Sequence, residues 1–132
     1  PKMRTINFNF NGSNQLQQLI DNDMLDGLAD PASVSLLPKW DDASVSLDRR
    51  ARAYMDINCA HCHTVGGFCE EQSNLRLDYE IPYEESSISE SRFSILTRIQ
   101  NTIPEYGMPL IGTTFVHEEG VDLLIEYINS LE

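Results

Sequence analysis

Residues 59–63 read Cys-Ala-His-Cys-His, and no other stretch restricts the folded chain as tightly. Two thiols three positions apart, followed at once by an imidazole, have to gather around one ligand. A bare Cys-x-x-Cys serves several chemistries. A structural zinc site closes with a second Cys or His pair downstream, and the later candidates are Cys69 and His117, at irregular spacing. A thioredoxin-like site sits near a strand-helix-strand pattern with its first thiolate at a helix start, and no such pattern surrounds residue 59. The added histidine points elsewhere. Cys-x-x-Cys-His is the spacing of covalent haem attachment. The thiols of Cys59 and Cys62 would add across the two haem vinyl groups as thioethers, and His63 would give its imidazole to the iron as proximal ligand. One covalently attached haem c is therefore the expected cofactor, with zinc or dithiol chemistry as the alternatives.

A six-coordinate iron needs a second axial ligand, and Met108 has the best context among the four methionines. It lies 45 residues past His63, between Gly107 and Pro109, in a loop where rigid backbone can present its side chain. Met55 falls on a helix face beside the motif and reads as core, whereas Met3 and Met24 have no supporting context. His117 is the rival ligand, its other role being the start of the last helix. The cofactor-binding set is thus Cys59, Cys62, His63 and Met108, with His63 and Met108 on the metal, and no catalytic residue is expected. His61 should point away from the thioether edge and be exposed. Arg98 and Tyr106 either reach haem propionates or serve packing and a solvated helix face. Cys69 is the odd cysteine, with a partner outside this chain or a buried, inert thiol.

At 132 residues the chain can bury roughly two thirds of the surface its unfolded form exposes. A formal charge of -12 excludes a nucleic-acid footprint and favours a partner with a basic docking surface. No run of eighteen apolar residues suits a membrane span. The chain starts at Pro1 in mid-phrase, without a signal peptide, and reads as part of something longer. Haem is joined to this motif outside the cytoplasm, so a periplasmic or otherwise extracytoplasmic bacterial address is expected.

Period-two alternation over residues 5–11 suggests a short strand closed by Asn11-Gly12. Leu16, Leu19 and Ile20 then fall at helical spacing behind Ser13 or Asn14 as cap, with an end near Asp23. Residues 29–45 read as an irregular connection that Trp40 pins down. A stronger helix begins at the cap Ser46, places Leu47, Ala51, Tyr54, Met55 and Asn58 on one face, and runs into the cysteines. Residues 75–79 alternate and are expected to be extended within a longer loop. Ser87 to Glu90 fits a capping box for a helix over 88–101, with Phe93, Leu96 and Ile99 or Ile103 at helical spacing before Pro104. Val121, Leu124, Ile125, Ile128 and Leu131 form the stripe of a last helix over about 117–131, with Glu118 and Glu119 at its favourable end.

With helix, haem motif, Met-Pro loop and terminal amphipathic helix in that order, residues 46–131 resemble the class I c-type cytochromes. The resemblance implies an all-α fold of helices packed around one covalently bound haem, with the first and last helices crossing and the ring edge-out in its pocket. It also implies thioethers at Cys59 and Cys62, His63 proximal and Met108 distal, and Tyr127 stands where such cytochromes often carry an aromatic residue. Arg50-Ala51-Arg52-Ala53-Tyr54 leading to residues 58–63 is similar to the C-terminal haem domain of certain large secreted bacterial proteins, in which a stretch like residues 14–28 also precedes the core. The expected organisation is an extension over 1–45, carrying a short strand and helix and packed on the core, and a cytochrome domain over 46–132. The expected function is one-electron transfer to an adjoining catalytic domain or a soluble redox protein, without enzymatic activity of its own. The alternative is a peroxidase-like haem enzyme or sensor whose sixth ligand is labile.

Overall fold

A computed structural model describes residues 14–34, 37–111 and 114–131. Among the described residues the chain is all-helical, with four α-helices and no strand. The strand expected over residues 5–11 lies outside the described residues. The chain divides into two compact units, Pro1–Leu37 and Pro38–Glu132.

In the first unit, α1 spans Gln15–Asp21. The side chain of Asn14 caps it, accepting from the amides of Leu16 at 2.8 Å and Gln17 at 3.4 Å, donors that an open helix end leaves unpaired. Leu16 is its buried residue. Asp30 then caps a 3-10 turn over Pro31–Ser33, where Pro at the first position loses no helical hydrogen bond.

The second unit holds α2 (Leu47–Asn58), α3 (Ile88–Ile99) and α4 (Glu118–Asn129), with α4 packed on both others. It starts at Pro38, ahead of the expected boundary after residue 45, and the packing of Trp40 shows why. The Trp40 ring meets Tyr54 and His117 edge-on, with centroids 5.9 and 5.1 Å away. The α2 and α4 helices approach closely at Gly120, where any Cβ would run into the Tyr54 ring. One core joins Ala51 and Met55 of α2, Ile88 and Ile95 of α3, and Leu123, Leu124, Tyr127 and Ile128 of α4. Leu124 is only 2 % exposed, so Leu124→Ala is expected to cost about 2–5 kcal/mol. A lowered midpoint of urea unfolding at unchanged slope would report it.

Several stripes sit one step from where spacing put them. The buried face of α4 is Gly120, Leu123, Leu124, Tyr127 and Ile128, while Val121 and Ile125 stand at its flank. On α3 the buried residues are Ile88 and Ile95, whereas Phe93 is 71 % exposed beneath the Arg92 guanidinium. The helix ends at Ile99, two residues short of expectation. Its capping box does not form, because Ser87 is left-handed with φ 55° and its side chain makes no cap bond. Fully buried Ser86 serves instead, its hydroxyl accepting from the Ile88 amide at 3.3 Å. Ser46 occupies the cap position of α2 without a side-chain bond.

Residues 75–79 pass beside α2 without joining a ladder. Leu75 and Leu77 alternate inward as expected, but the backbone amides of this stretch are satisfied singly: Leu75 donates to the Ser73 hydroxyl at 3.1 Å, Arg76 to the Ser86 carbonyl at 2.9 Å and Leu77 to the His63 carbonyl at 2.9 Å. Buried polar groups of α2 pin the following turn. Arg52 donates to the carbonyls of Asp78 and Ile81, and Asp56 accepts from the Tyr79 amide at 2.7 Å.

Candidate functional site

The Cys-Ala-His-Cys-His run is the unwinding end of α2. Cys59 is the C-cap and donates its amide to the Met55 carbonyl at 2.8 Å, and the amides of Cys62 and His63 both turn back to the Cys59 carbonyl. Ala60, 6 % exposed, plugs this turn into the core, so the motif is fixed from behind. His63 is tied at its carbonyl to Leu77.

The far side of the site comes from the loop after α3. The Met108 amide donates to the Arg98 carbonyl at 3.0 Å and the Gly107 amide to the Ile103 carbonyl at 2.8 Å. Gly107 is buried, and a Cβ there would collide with the Asn101 carbonyl. The loop therefore lies flat on the end of α3 and delivers Met108 from a fixed point.

These two segments share a cavity of about 310 Å³, a size suited to small-molecule and cofactor sites. Cys59, Cys62, His63 and Met108 all line it, together with an apolar wall that includes Leu75, Leu77, Ile95, Ile99 and Pro109. Residues far apart in sequence thus meet around one apolar space.

The electrostatics fit the same division of labour. Burial first, then the positive charges of Arg76, His61 and Arg98, hold the His63 imidazole below its ordinary pKa, which favours the neutral ring with a lone pair to donate. Its Nδ1 is buried without a hydrogen-bond partner among the described residues. Burial, and next the neighbouring Cys62, push the Cys59 thiol up to about 12. Among the described residues no three of His, Cys, Asp and Glu converge to hold a metal ion. The lining thus presents two thiols, an imidazole and a thioether to the same apolar space. Arg98 adds a guanidinium for carboxylates.

No family model, curated protein or solved structure matches the chain. The reading of the site rests on its own chemistry.

The remaining sequence candidates fall into place around the cavity. Met55 is core, 1 % exposed, and Met24 is a surface residue at 73 %; Met3 lies outside the described residues. His117 is not among the lining residues. It is the N-cap residue of α4, with Nδ1 2.8 Å from the Tyr54 hydroxyl and Nε2 3.5 Å from Glu119. His61 is exposed, yet it also contributes to the rim. Tyr106 is not a lining residue; its ring lies under the Arg98 guanidinium at 5.1 Å and its carbonyl accepts from Arg98 Nη1 at 3.3 Å. Cys69 is the residue that sequence reasoning left without a place. It lines the cavity next to Cys62, and Gly66-Gly67 was the available signal for a chain that doubles back so soon.

Proposed function

We propose that this chain is an electron-transfer domain, a monohaem c-type cytochrome in which Cys59 and Cys62 tether the haem and His63 and Met108 are the axial ligands. The observation that carries this reading is the single apolar cavity on which all four of those residues meet. Residues that fit a haem are present in each required role. Burial pushes the His63 pKa down and its buried Nδ1 has no hydrogen-bond partner among the described residues, Met108 is fixed by the bonds of the 107–108 backbone, and Arg98 stands on the wall for a propionate. When bound, haem supplies a one-electron couple between ferric and ferrous iron. A weak thioether donor at 108 and the low dielectric of the leucine and isoleucine wall both disfavour the more highly charged ferric state.

The chain's own role is to hold both axial side chains still, so that little reorganises when an electron passes. Phe68 and Ile111, 75 % and 74 % exposed at the rim, leave an apolar port beside the cavity. The charge of -12 steers a basic redox partner or adjoining domain toward it. Among the described residues no helix is long and apolar enough to cross a membrane. An extracytoplasmic address follows from the attachment chemistry.

The test is the absorption spectrum of the full chain matured in a host that exports and attaches haem. The expected result is a low-spin reduced spectrum and a methionine-to-iron charge-transfer band in the ferric form. High-spin ferric iron that binds cyanide at once would favour the enzyme or sensor, and a colourless chain of bare polypeptide mass would remove haem altogether.

A further inference from the structure

The cavity wall carries a thiol that attachment through Cys59 and Cys62 does not use. After His63 the chain reverses through Gly66, with φ +74°, and Gly67, whose Cβ position lies 2.6 Å from the Cys62 carbonyl oxygen. Only glycine lets the segment of residues 67–69 lie so close to the motif. The reversal is closed by the Cys69 amide, which donates to the Cys62 carbonyl at 3.0 Å. It is anchored beyond by Gln72 and Ser73, whose amides donate to the Cys69 carbonyl at 3.1 and 3.0 Å. The side chains follow the backbone, since Cys62 and Cys69 both line the cavity. A backbone bond of that length holds the two residues within reach of a disulfide, which needs Cα atoms about 4.4–6.8 Å apart.

We infer that Cys62 and Cys69 form a disulfide in the haem-free chain, and that this bond competes with thioether formation at Cys62. The inference rests on the haem reading above and adds a second covalent fate for one of its tethers. In an oxidising compartment the reaction is an exchange with a protein disulfide of the thiol-oxidant class. The Cys62 and Cys69 S–H bonds are lost and one S–S bond forms. Two electrons and two protons pass to the oxidant, which leaves as a dithiol. A dithiol reductant reverses the exchange, and Cys62 Sγ can then bond to a vinyl carbon while its proton goes to the neighbouring carbon, with no net oxidation. The two states exclude each other because one sulfur cannot make both bonds. Haem loading of this chain therefore needs a reductant able to reach the 62–69 pair, and Cys69 is the residue that imposes the requirement.

The test is expression of the full chain and of Cys69→Ser in a host that exports and attaches haem but is limited for it, with thiols alkylated at lysis. Cleavage after Phe68 separates Cys69 from the motif, so a Cys62–Cys69 bond appears by mass spectrometry as two joined peptides in the haem-free fraction. We expect those joined peptides in the parent chain, and a haem-loaded share raised at least about two-fold in Cys69→Ser, since the competing exchange is gone. Haem-free chains with Cys69 alkylated, whether Cys62 is free or joined to Cys59, would overturn the inference. So would an unchanged loaded share in Cys69→Ser. Joined peptides in a chain that never gains the mass of haem in any variant would instead defeat the cytochrome reading, leave the disulfide standing and remove its gating role.

Discussion

Cys59→Ala combined with Cys62→Ala should abolish covalent haem: the denatured chain should show the bare polypeptide mass, where the parent chain is expected to carry the added mass of one haem. Two carbon–sulfur bonds are deleted and nothing else on the lining can replace them except Cys69. The prediction is sharpened by where the two sulfurs sit. Cys59 caps α2 and its thiol is the more deeply enclosed, pushed up to about 12 by burial and then by Cys62. Cys62 lies closer to the rim, with burial and the adjoining Cys69 raising its pKa. Cys69→Ala on its own should leave the covalent mass intact. If the double variant still carried haem through unfolding in acid, Cys69 would be acting as a tether and the assignment of the pair would be wrong. The core behind the motif is formed chiefly by Ala60, Met55 and α4, with Cys59 only packed against it, so the double variant should remain folded enough to be compared with the parent chain.

What could be read from the sequence followed the range of the interaction involved. The α1 cap at Asn14, the start of α2 after Ser46 and its termination at the cysteines are local, each decided within one turn of backbone, and each was legible. The core assignment of Met55 came from its helix face alone. Failures arose where a distant element decided the outcome. The α4 stripe is rotated toward Gly120 and Tyr127 because α2 has to pass over Gly120, which no property of residues 117–131 announces. Phe93 has helical spacing but points to solvent, since the cavity and α4 take the other face of α3. Leu75 and Leu77 showed period two without a strand, because the amides of residues 75–77 donate to isolated groups, the Ser73 hydroxyl and the carbonyls of Ser86 and His63, rather than to a second strand. At the candidate site the four residues singled out from spacing, Cys59, Cys62, His63 and Met108, line one cavity. Cys69 could not be singled out this way, because its closeness to Cys62 depends on a reversal that two glycines permit and a single amide bond closes.

Met108→Ala should keep the covalent haem and lose the sixth ligand. Its reduction potential should fall by a sizeable fraction of the roughly 0.8 V over which axial ligands set haem potentials. The direction follows from the donor: a thioether stabilises ferrous iron relative to ferric, and water or hydroxide in its place does the reverse. The variant should also bind cyanide rapidly and lose the charge-transfer band of sulfur on ferric iron. Removing a side chain that lines an apolar cavity could change the potential through solvent entry alone, so a second variant separates position from sulfur. Gly107→Ala retains Met108 but inserts a Cβ where the Asn101 carbonyl already sits, which must lift the loop off the end of α3 and break the fixed geometry of the 107–108 amides. Gly107→Ala should therefore show the same loss of the band and a similar fall in potential while the sulfur remains in the chain. Met108→Leu, which keeps the cavity filled and dry, should behave like Met108→Ala in its spectrum and cyanide binding. An unchanged potential and an intact band in Met108→Leu would remove residue 108 from the iron and turn attention to His117, which the Tyr54 hydroxyl now holds at 2.8 Å on the start of α4.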